Sequence, residues 1–195
     1  VNNIHLEPKL VGSIEGEFYV PAYQRGYRWK EEVEILLNDI NEIDAGQNYS
    51  LQPIVVKKIA DAESKYELID GQQRLTTLYI ILKYIKEFLP KSQVKYSIDY
   101  QIRKDSRQFL ESIDFNHTDI ETKNIDEYFI NEAVKTIIQW FGKQEDESQT
   151  AVDISTKLNK HIRVIWYEVE GDNSNDSSVA LFTRLNIGRI PLTNA

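Results

Sequence analysis

Lys65-Tyr66-Glu67-Leu68-Ile69-Asp70-Gly71-Gln72-Gln73-Arg74-Leu75-Thr76-Thr77-Leu78-Tyr79-Ile80-Ile81-Leu82-Lys83-Tyr84 is the stretch that decides the fold. Its first five residues read as a strand and its apolar second half as a helix, so Asp70 to Arg74 form a strand-to-helix turn. A helix start carries unpaired backbone N–H groups and the positive end of the helix dipole, which together make a seat for phosphate. Gly71 permits a positive φ or a close backbone approach. Gln72 and Gln73 each offer donors and an acceptor, and the Arg74 fork suits phosphate oxygens. Asp70 can orient Arg74, hold a metal-bound water, act as a base or simply cap the helix. Polar groups between apolar elements are costly to bury without partners. Residue chemistry alone leaves two readings open here, a phosphate seat and an internally satisfied, capped turn. The G-K-S/T signature of a Walker loop is absent.

Working outward, the helix from Gln72 to Phe88 is apolar on most sides, which predicts a central, buried element ended by Pro90. Upstream, Pro53–Ile59 reads as a strand joined to Tyr66–Ile69 by a hairpin turn at Asp61-Ala62-Glu63-Ser64. Residues 1–20 hold short apolar stretches broken at Gly12 and Gly16, with a strand at Phe18-Tyr19-Val20 ending at Pro21. An amphipathic helix spans Lys30 to Ile43, with Val33, Leu36, Leu37, Ile40 and Ile43 on one face.

Downstream, Val94, Tyr96, Ile98 and Tyr100 alternate with polar residues, as in a half-buried strand. Ser106–Ile113 reads as helical. Asp126 is expected to cap a helix running to Phe141, with Ile130, Val134, Ile137, Ile138 and Phe141 inward. Gln144–Gln149 reads as a polar loop and His161–Glu170 as a strand. Gly171–Asn175 reads as a turn, then Ser177–Asn186 as a helix stopped at Gly188. Strands and helices do not alternate regularly, so the expected class is α+β: a small mixed sheet packed with helices, plus a mainly helical middle and C-terminal region. The expected division is a core over residues 1–100, a mainly helical insertion over 101–160, and a strand and helix over 161–195 that complete the core.

Two further constellations carry polar chemistry. Pro21-Ala22-Tyr23-Gln24-Arg25-Gly26-Tyr27-Arg28-Trp29 combines aromatic rings with two arginines and an amide, a set suited to a flat ring bearing an anionic backbone. The other reading has Tyr23, Tyr27 and Trp29 packing on the following helix while the arginines pair with its glutamates. Near the C-terminus, Arg184, Asn186 and Arg189 lie where a helix stops, and cations there need no functional reason.

Composition narrows the classes. The 195 residues contain no cysteine, which excludes disulfides and thiolate metal sites. His5, His117 and His161 are far apart and have no metal-ligand spacing. No haem, flavin or structural zinc is expected. A formal net charge of −8 argues against a general nucleic-acid coat, though not against a local basic pocket. No apolar run spans a membrane and no signal segment is present, so a cytoplasmic protein with no membrane partner is expected. The chain starts at Val1 without any methionine and stops at Pro191-Leu192-Thr193-Asn194-Ala195, with Thr193 resembling a helix N-cap. A domain cut from a longer protein, ahead of further helices, is the expectation.

Four segments together resemble a known family: Val20–Trp29 (VPAYQRGYRW), Tyr49–Val56 (YSLQPIVV), Tyr66–Leu78 (YELIDGQQRLTTL) and Leu181–Ala195 (LFTRLNIGRIPLTNA). The chain resembles the N-terminal domain of GmrSD-type restriction endonucleases, within the ParB/sulfiredoxin-like superfamily, from about Glu7 to Ala195. The resemblance implies a ParB-like core and a nucleotide-hydrolysing module of phage-defence nucleases that restrict modified DNA. It implies a nucleoside triphosphate with Mg²⁺, for which Asp70 would be the candidate residue. Gly71, Gln72, Gln73, Arg74 and Thr76 would bind the nucleotide or its phosphates, with Asp70, Gln73 and Arg74 catalytic. Tyr23, Gln24, Arg25 and Arg28 would complete the pocket or sense modified DNA. Asn186 and Arg189 would be peripheral. Such domains are often followed by an HNH-type nuclease domain. No H-N-H signature and no paired carboxylates for two metals occur in this chain, so DNA cleavage is not expected from these residues.

Overall fold

The computed structural model describes residues 4–169. The expected turn at 171–175, the helix at 177–186, the stop at Gly188 and the candidates Arg184, Asn186 and Arg189 lie outside the described residues.

The described chain runs β1 (Ile4–Leu10), β2 (Gly16–Val20), α1 (Glu31–Glu42), β3 (Tyr49–Lys58), β4 (Lys65–Asp70), α2 (Gln72–Phe88), β5 (Tyr96–Tyr100), α3 (Ser106–Glu111), α4 (Ile125–Gly142), α5 (Glu147–Lys160) and β6 (Ile162–Val169). The six strands form one mixed sheet in the order β1-β6-β3-β4-β2-β5. The expected mixed sheet packed with helices is what the chain forms.

Parallel pairing within this sheet positions the candidate site. β4 and β5 both flank β2 in parallel, with Tyr19 opposite Glu67 on one side and Val20 opposite Tyr100 on the other. The carboxyl ends of β2, β4 and β5 therefore share one edge of the sheet. The segments leaving them, 21–30, Gly71 and 101–105, are neighbours there. The carboxyl edge of parallel strands is where open α/β sheets place ligands. β3 is antiparallel to β4 and parallel to β6, and β1 closes the far edge against β6.

α2 occupies the span expected for it and is buried on most sides, from Leu75 through Leu82 and at Tyr84 and Ile85. Leu36, Leu37 and Ile40 of α1, Val134, Ile137 and Phe141 of α4, and Ala151, Ile154 and Leu158 of α5 join the same core as Phe18, Leu68, Ile98 and Trp166. Trp140 donates its indole N–H to Asn38 Oδ1 at 2.8 Å, tying α4 to α1.

Several expectations are corrected. Residues 4–10 form a full edge strand, held through seven cross-strand pairs to β6; Pro8 sits where an edge strand tolerates a missing N–H. β3 begins at Tyr49 rather than Pro53 and ends at Lys58, and its register to β6 shifts between Leu51 and Ile54, around Pro53. Asp126 is not the cap of α4. Asn124 is, accepting from the N–H groups of Asp126 and Glu127 at 3.0 Å. The polar loop expected to Gln149 ends sooner, because Asp146 caps α5 by accepting from Gln149 N–H at 2.9 Å.

Buried phenols give this fold a defined alkaline limit. Tyr27, Tyr96 and Tyr100 lie in the core, and burial pushes each phenol above its ordinary value. Burial also raises Tyr79 to about 12. The unfolded chain releases these protons near pH ~10. Above that pH the folded state holds more protons than the unfolded one, so raising the pH favours unfolding. Stability should be insensitive to these groups below about pH 10 and fall from there toward pH 12. Absorbance at 295 nm should rise first for exposed tyrosines and again, with loss of helical circular dichroism, for the buried ones. One reversible step with the fold intact would contradict this.

Candidate functional site

The Asp70–Arg74 turn sits where β4 delivers the chain to α2. Gly71 takes φ +96°, a left-handed conformation that side chains disfavour. A Cβ there would lie 2.5 Å from Ile54 Cδ1 and 3.3 Å from Pro53 O, so the backbone also runs close against β3. The N-cap residue of α2 is Gly71 itself, which has no side chain with which to cap the helix. The first intrahelical bond is Leu75 N–H to Gly71 O, at 2.9 Å.

The two glutamines face the Pro21–Trp29 segment and fasten it. Gln72 donates to Arg25 O at 3.0 Å, and its Oε1 accepts from the Tyr100 hydroxyl at 2.7 Å. Since that hydroxyl has one proton, the 2.6 Å contact between Tyr100 and Thr76 is a donation from Thr76 Oγ1. Gln73 donates to Gly26 O at 2.9 Å and accepts from Arg28 N–H at 2.8 Å, pairing with the loop backbone as a neighbouring strand would. Gln24, itself buried, points the other way and donates to Leu68 O at 2.6 Å on β4. Thr77 donates to Gln73 O, so Tyr27 donates its hydroxyl to Thr77 at 2.8 Å.

A charge contact holds the far end of the loop. Asp126, buried at the start of α4, accepts from the Arg28 guanidinium, and Arg103 Nε approaches its other oxygen at 2.6 Å. That second contact is charge against charge without an aligned hydrogen bond. Gly26 leaves the space: a Cβ there would sit 2.1 Å from Asp126 Oδ1. The arginine partner is thus Asp126, 98 residues away, rather than a glutamate of α1.

The structure brings the two sequence constellations together and sorts their members. Gln24, Gln72, Gln73, Thr76 and Arg28 are engaged within the protein. Arg25 is exposed, and Tyr23 is 37% exposed with its hydroxyl 3.3 Å from Glu67 Oε1; burial and that carboxylate raise its pKa. Arg74 is half-buried, donates to Gln52 Oε1 at 2.7 Å and lies 5.9 Å from the centre of the Trp29 ring. Asp70 ends β4 and is buried.

Sequence reasoning missed Tyr100, Thr77, Gly26, Asp126 and Arg103. Asp126 and Arg103 lie in the stretch expected to be a mainly helical insertion, and only the fold brings them to the loop. Gly26 carried a signal, a glycine within a crowded polar-aromatic run. Among the described residues no group of three or more His, Asp or Glu is placed to hold a metal ion. A single buried carboxylate at the turn, Asp70, fits a Mg²⁺ ion that keeps most of its coordination on water and phosphate oxygens.

No described helix is long and apolar enough to cross a membrane. The family model described as "GmrSD restriction endonuclease, N-terminal domain" matches residues 8–195. No curated protein matches the chain.

Proposed function

Because the chain belongs to the GmrSD restriction endonuclease N-terminal domain family, we propose that it is a nucleotide-binding, NTP-hydrolysing regulatory domain of an enzyme that restricts modified DNA. The observation that carries this reading is the turn at Gly71. It starts a long helix from a left-handed glycine with no side chain of its own, at the carboxyl edge of β2, β4 and β5, beside Arg74 and Asp70. Backbone N–H groups of that turn and the Arg74 fork take the phosphates. In hydrolysis they neutralise charge developing on the terminal phosphate, while Asp70 places the attacking water. Mg²⁺, when bound with the nucleotide, supplies further charge neutralisation.

Gln72 and Gln73 enter this proposal as positioning residues. Their amides hold the Arg25–Arg28 backbone, which leaves the Arg25 guanidinium facing solvent beside the turn. Phosphate release from Mg-NTP, measured in multiple turnover, is expected for the wild-type chain. Arg74→Ala should lower it by about 100-fold or more, the scale of losing one transition-state donor. Equal turnover in the variant would remove Arg74 from the mechanism.

A second reading is favoured by the exposure of Tyr23 and Arg25 on the clamped loop: a non-catalytic module that senses modified DNA through that segment. In either case the proposed partners are modified DNA and an HNH-type nuclease domain of the full-length protein.

A further inference from the structure

A strip of cations and rings continues from the loop onto α4. Lys30 Nζ lies 5.2 Å and Arg28 Cζ 5.4 Å from the centre of the Phe129 ring. Phe129 meets Tyr128 edge-on at 5.4 Å, and Tyr128 is 47% exposed. On the other side, Trp29 carries Arg74 at 5.9 Å. The two ring systems adjoin through the Trp29–Lys30 peptide. Lys30 is exposed, and among the described residues no carboxylate lies within ion-pair distance of its ammonium; Phe129 is the partner that holds it. The Asp126 carboxylate is already shared between Arg28 and Arg103. In a chain of net charge −8, two cations, Lys30 and Arg28, are thus gathered over one aromatic ring, with Asp126 taking up part of the Arg28 charge.

We propose that the strip formed by Lys30, Arg28, Phe129 and Tyr128 is a docking surface for the phosphate backbone of duplex DNA, extending the loop's surface along the start of α4. Lysine, arginine and tyrosine side chains are the donors that position proteins on phosphates. A lysine held over a ring keeps its charge while losing little further freedom on binding. Glu31 and Glu32 follow at the start of α1, and Lys30 N–H donates to Glu32 at 3.0 Å, so contact is confined to a few phosphates and its salt slope is correspondingly shallow. The inference rests on the reading of this domain as part of a DNA-restricting enzyme and is independent of nucleotide hydrolysis.

The test is fluorescence anisotropy of a labelled, unmodified 20-base-pair duplex, titrated with the full chain at several salt concentrations. Lys30→Ala should bind several-fold more weakly and lower the slope of log affinity against log salt by about 0.9, one phosphate contact. Tyr128→Ala should weaken binding with the slope retained. Lys86→Ala, which removes an exposed charge near the far end of α2, should match wild type. A slope unchanged in Lys30→Ala, an equal loss in Lys86→Ala, or no wild-type binding at low salt would overturn the proposal. Phosphate release by the same proteins separates the two readings. Turnover without duplex binding removes the docking surface alone, and a Lys30-dependent slope without turnover removes the hydrolase alone.

Discussion

Asp126→Ala should lower the unfolding free energy by about 2–4 kcal/mol, toward the lower part of the range for removing one partner of a buried ion pair. The carboxylate side chain is 7% exposed, whereas those of Arg28 and Arg103 are 26% and 35% exposed. Both arginines can therefore recover some water when released, which keeps the loss below the extreme. A change of this size corresponds to a melting-temperature drop of about 4–16 °C for a chain of this length. Asp126→Asn should cost less, because an amide oxygen can still accept from Arg28 while the charge is lost. The consequence is local as well as global. The Arg28 guanidinium ties the loop to α4 through Asp126 and the Phe129 ring, so backbone amides of residues 25–28 should exchange faster in the variant under native conditions. Urea unfolding with unchanged midpoint, or unchanged loop exchange, would show that α4 does not hold the loop.

Gly71→Ala should cost about 2–4 kcal/mol through two separable causes. A left-handed conformation costs a non-glycine residue about 1–2 kcal/mol. The remainder is collision: the new methyl group would lie 2.5 Å from Ile54 Cδ1, and Ile54 is fully buried with little room to turn away. The two parts can be separated by Ile54→Val, which deletes that Cδ1 atom. In the valine background Gly71→Ala should cost only the torsional share, giving a coupling of about 1 kcal/mol in the double-mutant cycle. Additive effects would mean that the close approach to β3 contributes nothing and backbone torsion alone requires the glycine. In either background, phosphate release should fall more steeply than stability, since the substitution tilts the helix start proposed to hold the phosphates.

How much of this was legible beforehand depended on whether the information was local. α2 was legible to its ends because a polar turn, seventeen apolar-rich residues and Pro90 all mark the same boundaries. The β3–β4 hairpin was legible from its turn, where Asp61 and Ser64 adopt positive φ. The first strand was not, because Ile4–Leu10 lacks a clean alternation and owes its strand pairing to β6, more than 150 residues later. α5 was missed as a separate helix because its buried side is thin, only Ala151, Ile154 and Leu158, in an otherwise polar stretch.

The candidate site divides in the same way. The five residues of the turn and the Tyr23–Arg28 loop were visible as two polar clusters, and placing them side by side is what the parallel β2–β4 pairing does. What sequence reasoning left open was how many of those groups are already used. Gln72 and Gln73 looked as suited to a ligand as Arg74, yet both spend their amides on the backbone of the loop, while Arg74 donates to the side chain of Gln52. The satisfied-turn reading therefore describes the glutamines, and the phosphate-seat reading narrows to the backbone of the glycine-started helix with Arg74 and Arg25. Asp126 shows the other limit, since its neighbours in sequence suggest a helix cap and only the tertiary fold brings Arg28 to it.

The central claim is that the start of α2 receives a nucleotide's phosphates, and its most direct test is the unfolding temperature of the chain titrated with each Mg-NTP. A ligand at 100 times its dissociation constant stabilises the folded state by about 2.7 kcal/mol. For a chain of this length that is a rise of about 5–11 °C. The account predicts such a saturable rise for at least one nucleotide in the wild-type chain and its loss in Arg74→Ala. A flat response to all of them, with the protein folded throughout, would contradict it.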